Sequence, residues 1–344
     1  MDKVLAGYGL TADHCSVKPF GSGLINHTWE LRNGEGRYIL QKVNQNVFRE
    51  PEAIAWNLEF INTYLEQQDG AYFFVAPVKT VSGGTMLHIA DDGYYRMFPF
   101  VKGSHSIDVV EEPRQAYEAA KQFGMFTRKL SGINVEELKI TLPSFHDLVL
   151  RYEQFLEALE RGNAERAAEA ETVILELKAH AGIVDRFREI LKNPDFKRRV
   201  THHDTKISNV LFDDHNKGLC VIDLDTVMPG YFISDVGDMM RTYLCPVSEE
   251  EQDFSKIVVR EDYYRAIVEG YLEEMQDELT AAEKAHFFYS GLFMIYMQAL
   301  RFLTDHLNDD RYYGAKYEGH NFMRAQNQLT LLRRLLEKQE VLGK

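Results

Sequence analysis

Residues 200–241 constrain the fold of this chain more than any other stretch. They hold two short apolar runs, Val210–Phe212 and Leu219–Leu224, on either side of the turn Asp214-His215-Asn216-Lys217-Gly218. Runs of that length around a polar, glycine-containing turn read as a β-hairpin. The sequence on both sides reads as helix. Ser144-Phe145-His146-Asp147 looks like a helix N-terminus and Thr280-Ala281-Ala282-Glu283 like a capping box. Phe322, Ala325, Leu329, Leu332 and Leu336 lie on one face of a last helix. The first hundred residues are different. Trp29–Leu31 and Arg37–Val43 flank the turn Asn33-Gly34-Glu35-Gly36, a second hairpin pattern. Pro51 opens a helical pattern with Ile54, Leu58, Ile61 and Leu65 on one face. Phe73–Val78, Thr85–Ile89 and Tyr94–Val101 read as further strands, and Pro99 with Lys102-Gly103-Ser104 marks a hinge. The expectation is an α+β chain of two lobes, residues 1–103 small and β-rich, residues 104–344 larger and mostly helical.

Length and composition agree with two lobes and bound the chemistry. A chain of 344 residues, 45% apolar, can bury a sizeable core. Its formal net charge of -14 argues against nucleic acid or an anionic membrane surface as a main partner. Cys15, Cys220 and Cys245 lie far apart with no C-x-x-C pair, so neither a zinc knuckle nor a disulfide framework is indicated. The first residues lack the apolar core of a signal peptide, and the longest apolar stretch, Gly291–Leu300, is too short for a membrane span. A soluble, cytoplasmic setting is the expectation.

The hairpin segment also carries the candidate chemistry. His202-His203-Asp204-Thr205-Lys206-Ile207-Ser208-Asn209 fits H-x-D-x-x-x-x-N, the catalytic-loop pattern of kinases, and Val221-Ile222-Asp223-Leu224-Asp225 places carboxylates at the end of the following strand. Phosphoryl transfer needs a carboxylate at the acceptor hydroxyl, oxygen ligands for magnesium and cations on the phosphates. Asp204 suits the first role, Asn209 and Asp223 the second, and Lys206 the third. Alternation along a strand would turn Asp223 and Asp225 to one side, making Asp225 a further metal candidate. The plain alternative is a surface loop with Asp204 as a cap, which the apolar flanks disfavour. His202 reads as a residue that holds the loop. A hydrolase metal site from His202, His203, Asp204 and Asp223 is disfavoured, because adjacent histidines on an extended loop point apart.

Three further parts are expected in the N-terminal lobe. Gly21-Ser22-Gly23 lies between strand-like runs, where glycines let backbone N–H groups approach phosphates; an ordinary hairpin turn is the other reading. Lys42 on a strand and Glu59 on the following helix could form the ion pair that orders ATP phosphates, or be a surface pair. Gln41 stands where many small-molecule kinases carry the basic residue. The adenine would lie against Phe98 and Val101 at the hinge.

These motifs resemble the aminoglycoside phosphotransferase and choline kinase superfamily, and within it the N-acetylhexosamine 1-kinases. The resemblance rests on GSGLINHTWEL (21–31), YILQKVNQNVF (38–48), VTHHDTKISNVLFDD (200–214), VIDLDTVMPGYFISDVGDMMR (221–241) and LRFLTDHLNDDRYYGAKYEGHN (300–321). It implies a two-lobed protein-kinase-like fold with a nucleotide-binding N-terminal lobe, and a helical lobe holding the catalytic loop and sugar site. The implied reaction uses ATP and Mg2+ to phosphorylate the anomeric hydroxyl of N-acetylglucosamine or N-acetylgalactosamine. Arg301 and Tyr312 match positions that look like sugar contacts in that branch. From the residues alone, Arg301 sits in an apolar helix and needs a carboxylate or ligand oxygens. Asp235, Asp238 and Asp305 are the alternative partners, and core packing is the alternative for Tyr312. Leu24 departs from the polar His of some relatives. Other acceptors (another sugar, choline, ethanolamine, homoserine, an aminoglycoside) and a non-catalytic scaffold are the competing readings, and a monomer or weak homodimer is expected.

Overall fold

The computed structural model describes residues 1–21, 25–34, 36–68 and 72–343. Its N-terminal part is a five-stranded antiparallel sheet in the order β1-β2-β3-β5-β4, with β1 Cys15–Pro19, β2 His27–Asn33, β3 Gly36–Lys42, β4 Leu87–Ile89 and β5 Gly93–Pro99. The β2–β3 hairpin forms where the sequence places it, with Asn33 opposite Gly36 and Trp29 opposite Leu40. Strand alternation gives this sheet two different faces. Leu31, Leu40, Tyr95 and Met97 pack on one face beneath Val4 and Leu5 of α1 (Asp2–Gly7). The other face carries Thr28, Gln41 and Arg96 side by side, since Thr28 pairs with Gln41 and Gln41 with Arg96.

The expected strand over Phe73–Val78 does not form. The segment runs along β5 and makes one ladder-like bond, Val78 N–H to the Met97 carbonyl at 2.7 Å. The next donor on that edge, the Ala76 N–H, turns back to the Phe74 carbonyl at 3.0 Å, so the pairing does not extend. The expected strand at Thr85–Ile89 shortens to β4.

Helix α2 (Pro51–Glu66) follows the sheet, with Pro51 in its first turn and Ile54, Leu58 and Ile61 buried. The remaining helices are α3 (Pro113–Lys129), α4 (Leu148–Arg161), α5 (Ala164–Glu169), α6 (Glu171–Ala179), α7 (Gly182–Lys192), α8 (Phe232–Tyr243), α9 (Glu261–Met275), α10 (Ala281–Lys284), α11 (Phe287–Leu307), α12 (His320–Leu336) and α13 (Gln339–Leu342). Asp147 caps α4 by accepting the Leu150 N–H, and Thr280 with Glu283 forms the capping box of α10. Helix α11 is apolar on nearly every side because α4, α8 and α12 cover it. Gly270 lets α9 approach the backbone of Tyr117 on α3, where any Cβ would collide with that carbonyl. Among the described residues no helix is long and apolar enough to cross a membrane.

Two small antiparallel pairs interrupt the helices: β6 (Arg199–Thr201) with β9 (Met228–Gly230), and the hairpin of β7 (Val210–Phe212) with β8 (Gly218–Val221). His105, just beyond β5, exchanges backbone bonds of 2.9 Å with Phe212, which ties the segment after the sheet to β7. Asn57, buried on α2, donates to the carbonyls of Lys139 and Val227 at 2.9 Å each and accepts the Lys139 N–H at 2.7 Å. The sheet-bearing part and the helical part are thereby joined beside residues 222–227.

Candidate active site

The loop from His202 to Asn209 leaves β6 and is held by α8. Asp235, in the first turn of α8, accepts the backbone N–H of His202 at 3.0 Å and of His203 at 2.7 Å. Asp238, one turn later, accepts the Thr205 N–H at 2.8 Å, and Tyr243 donates its hydroxyl to the Thr205 carbonyl at 2.5 Å. Every one of these bonds is buried, where an unpaired amide is costly. His203 is at φ +67°, in the left-handed region that non-glycine residues rarely occupy. Its Nδ1–H is shared between the carbonyls of Thr201 and Thr226, both at 3.1 Å. His202 donates Nε2–H to the Ile222 carbonyl at 2.9 Å. Burial pushes both histidines below the usual range, His203 to about 4. The two rings thus brace the loop as neutral side chains, each donating to backbone.

Asp204 projects from this loop and is part-exposed. Lys206 Nζ lies 3.0 Å from its Oδ1, and Asn209 donates Nδ2–H to its main-chain carbonyl at 2.8 Å and to its Oδ2 at 3.1 Å. Asn209 also offers its backbone carbonyl to the Ile222 N–H at 2.8 Å, so the loop and Asp223 meet. The strand expected to run through Leu224 ends at Val221 instead. Asp223 adopts φ 59°, ψ 60°, and Leu224–Thr226 forms one 3-10 turn. Asp223 and Asp225 are therefore brought near each other by a turn and not by strand alternation. Although Asp223 meets solvent, desolvation by the protein around it, then the carboxylates of Asp225 and Asp204, hold it above the ordinary carboxylate range. A magnesium ion favours this environment, because it takes one or two protein oxygens and completes its shell with phosphate and water. The amide oxygen of Asn209 and the carboxylate of Asp223 fit that demand. The hydrolase ligand set does not assemble, since both histidine rings are committed to the backbone, and no cluster of three metal-ligating His, Cys, Asp or Glu occurs among the described residues.

The lysine–glutamate pair is not formed as expected. Lys42 lies on the face of β3 away from Gln41 and pairs with Asp92 at 2.6 Å, while Glu59 pairs with Lys79. The buried cation on the cleft-side face is Arg96, which the sequence reading missed. It is 1% exposed, forms an ion pair with the equally buried Asp225, and donates Nε–H and Nη2–H to Gln41 Oε1 at 3.0 and 2.8 Å. Asn26, also missed, donates to the second oxygen of Asp225 at 2.8 Å and accepts the Asn44 N–H at 3.0 Å. Gln41 in place of a basic residue was the only signal in the sequence that the cation had moved elsewhere. Asp225, proposed above as a metal ligand, is thus engaged at both oxygens.

Of the glycine turn, Gly21 is at φ +74°, and Ser22 and Gly23 lie outside the described residues. Phe98 is half-buried near the end of β5, and the Val101 carbonyl accepts the Ser104 hydroxyl at 2.7 Å.

Arg301 takes none of the three aspartates offered to it. Asp235 serves the loop amides, Asp238 pairs with Arg241 at 2.9 Å, and Asp305 accepts the N–H groups of Tyr312 and Tyr313 at 2.7 and 2.9 Å. Among the described residues no carboxylate lies within ion-pair distance of Arg301. Its guanidinium sits 5.7, 5.8 and 5.4 Å from the ring centres of Phe145, Tyr312 and Tyr313. Tyr312 is 73% exposed, which rules out core packing. A cavity of about 470 Å3 opens here, lined by Arg151, Gln154, Arg301, Thr304, Tyr312 and Tyr313 among others. Arg151, likewise without a carboxylate partner, is held below the usual guanidinium range by burial and by Arg301. Ring contacts connect this cavity to the catalytic loop: Phe145 stacks on His146 at 4.5 Å, and His146 meets His203 at 5.3 Å.

The fold is shared with several solved kinases. A microcompartment-associated aminopropanol kinase superposes with a TM-score of 0.66 at 16% identity, over 99% of this chain and 97% of that one. A spectinomycin phosphotransferase solved with ADP and spectinomycin gives 0.58 at 13% identity, over 99% and 97%. The Plasmodium vivax ethanolamine kinase gives 0.59 at 15% identity, over 96% and 85%. At these identities the likeness concerns architecture, a β-rich sheet joined to a helical lobe. The sequence itself matches the model of the phosphotransferase enzyme family over residues 16–276, so this chain belongs to that family.

Proposed function

We propose that this phosphotransferase moves the γ-phosphoryl group of ATP to the anomeric hydroxyl of N-acetylglucosamine or N-acetylgalactosamine, giving the sugar 1-phosphate. The observation that carries the sugar reading is Arg301: a half-buried guanidinium with no carboxylate, beside the exposed ring of Tyr312, in a cavity linked to His203 of the Asp204 loop through the rings of Phe145 and His146. A guanidinium so placed is satisfied by neutral or anionic oxygens, and a flat exposed ring suits the face of a sugar. The same cavity disfavours the cationic acceptors. Choline, ethanolamine and aminoglycosides call for free acids and an aromatic cage; the acids here, Glu157 and Asp305, are engaged by Arg161 and by the N–H groups of Tyr312 and Tyr313, whereas Arg151 and Arg301 lack a carboxylate and would repel a cation.

In this reading Asp204 orients the sugar hydroxyl and receives its proton, and Lys206, anchored 3.0 Å from Asp204, approaches the transferring group. Asn209 has committed its amide nitrogen to Asp204, which leaves its oxygen for magnesium together with Asp223. When bound, the metal supplies charge neutralisation at the phosphates. The adenine lies between the lobes against Phe98 and Val101, with the boundary near residue 103. Asp204, Asn209 and Asp223 are all present, which supports an active enzyme over a scaffold. The acidic net charge fits a cytoplasmic protein, monomer or weak homodimer, without nucleic-acid or membrane partners.

The test is a phosphorus NMR assay with Mg-ATP and a panel of N-acetylglucosamine, N-acetylgalactosamine, galactose, choline, homoserine and kanamycin. A new anomeric phosphate signal with the N-acetylated sugars is expected. Phosphorylation of a different acceptor would replace the substrate assignment and keep the catalytic one.

A further inference from the structure

Kinases place a lysine on the third strand against the nucleotide phosphates and hold it with a helix carboxylate. In this chain neither half of that device is where it is expected. Strand β3 offers the neutral Gln41 on its cleft-side face, Lys42 turns away to Asp92, and Glu59 of α2 is taken by Lys79. The face that should carry a cation nevertheless carries one. Arg96 is the cross-strand neighbour of Gln41, one strand over, on the same face of the sheet.

We propose that Arg96 is the phosphate-binding cation of this enzyme, relocated from β3 to β5, with Gln41 as its positioning residue and Asp225 as its carboxylate. The assignment rests on the reading of ATP as phosphoryl donor. Three observations carry it. First, Gln41 Oε1 accepts both Nε–H and Nη2–H of Arg96, at 3.0 and 2.8 Å, while Gln41 Nε2 is tied to Thr28 Oγ1 at 3.3 Å. A lysine at 41 would set two cations against each other, so a neutral acceptor there is what an arginine at 96 requires. Second, Asp225, which balances Arg96, is two residues from Asp223, in the 3-10 turn that Asp223 opens. The guanidinium is therefore delivered beside the group assigned to the metal, where phosphate oxygens must lie. Third, Arg96 Nη1 carries two N–H groups and faces a single acceptor among the described residues, Asp225 Oδ1, so one N–H on that side remains for a ligand oxygen. An arginine offers five donors in a planar fork, enough to keep Gln41 and Asp225 and still meet a phosphate oxygen.

The competing view is a buried ion pair that only joins the sheet to the helical lobe. The experiment that separates the two is ADP binding by the full chain, measured calorimetrically with magnesium and again in EDTA. Arg96→Gln is expected to weaken ADP about 10- to 100-fold in both conditions, as befits loss of a charged hydrogen bond to phosphate. Lys42→Met should bind as wild type. The exchange Gln41→Lys with Arg96→Gln returns the cation to β3 and should recover most of the affinity. A folded Arg96→Gln protein with wild-type ADP affinity would overturn the assignment. Should that variant not fold, the wild-type Arg96 Nε–H resonance decides: it is expected to shift with ADP and not with adenosine, and equal responses to both would overturn the proposal. Wild-type protein that binds no ADP would remove the donor reading, and this assignment with it.

Discussion

Asp235 Oδ1 accepts the backbone N–H of His203 at 2.7 Å, and the residue making that bond is held at φ +67°. The same carboxylate takes the preceding amide through its other oxygen. One side chain from α8 thus fixes the two residues immediately before Asp204. Replacing Asp235 with Ala leaves two buried N–H groups unpaired, at a cost of about 2–5 kcal/mol. Chemical denaturation should report that loss, and kcat should fall more than the nucleotide KM rises. A variant as stable and as active as wild type would show that the loop holds itself.

Titration of His203 gives a pH signature. The folded protein keeps its imidazole neutral down to about 4, while the unfolded chain protonates near 6.5. The unfolded state therefore binds the extra proton between those values. The contribution is fully present above pH 6.5 and is lost as pH falls toward 4, by at most about 3 kcal/mol. Asp235, raised to about 7 by burial, runs the other way, losing stability as pH rises. Comparing wild type with His203→Asn isolates the histidine, because Asn tolerates positive φ and does not titrate. The wild-type curve should fall more steeply from pH 6.5 to pH 4 than that of the variant; parallel curves would count against a neutral buried imidazole.

Gly230, at the end of β9, is a close-approach glycine. A Cβ there would sit 2.5 Å from His203 Nε2 and 2.9 Å from Thr201 Oγ1. Gly230→Ala must push the ring or the strand aside, costing about 1–3 kcal/mol as overpacking. Because the ring that moves braces the Asp204 loop, activity should drop along with the denaturation midpoint. Full activity in a destabilised protein would separate His203 from the site.

Asp204→Asn keeps the size and the contact with Asn209 but cannot receive a proton. Turnover should fall about 100- to 10,000-fold with ADP affinity preserved. Steady-state kinetics beside ADP titration is the check, and near-normal turnover would take Asp204 out of the base role.

Arg301→Ala removes a guanidinium that has only neutral partners, Gln298 and the Tyr312 hydroxyl, without touching the nucleotide side. The sugar KM should rise about 10- to 100-fold, the worth of a charge-assisted hydrogen bond, while the ATP KM holds. Equal changes in both constants would point to a disturbed α11 rather than a lost sugar contact.

Local pattern in the chain was enough for the hairpin within helices, the β2–β3 pair, the caps at Asp147 and Thr280, and the closeness of Asn209 to Asp204. Each of these depends on residues a few positions apart, whose geometry follows from strand alternation, helix periodicity and capping chemistry. The pairing of charges was decided only by tertiary structure. Lys42 and Glu59 have the right residue types and the wrong neighbours. Sheet order sets Arg96 beside Gln41 across 55 positions of sequence, and the turn after Asp223 delivers Asp225 to it from the other lobe. The segment Phe73–Val78 likewise fails to become a strand that its apolar residues favour, because the Ala76 N–H closes a local turn on Phe74 instead of reaching β5. Which face a side chain takes is written in the local repeat; which charge waits on the facing strand is settled only when the strands take their order.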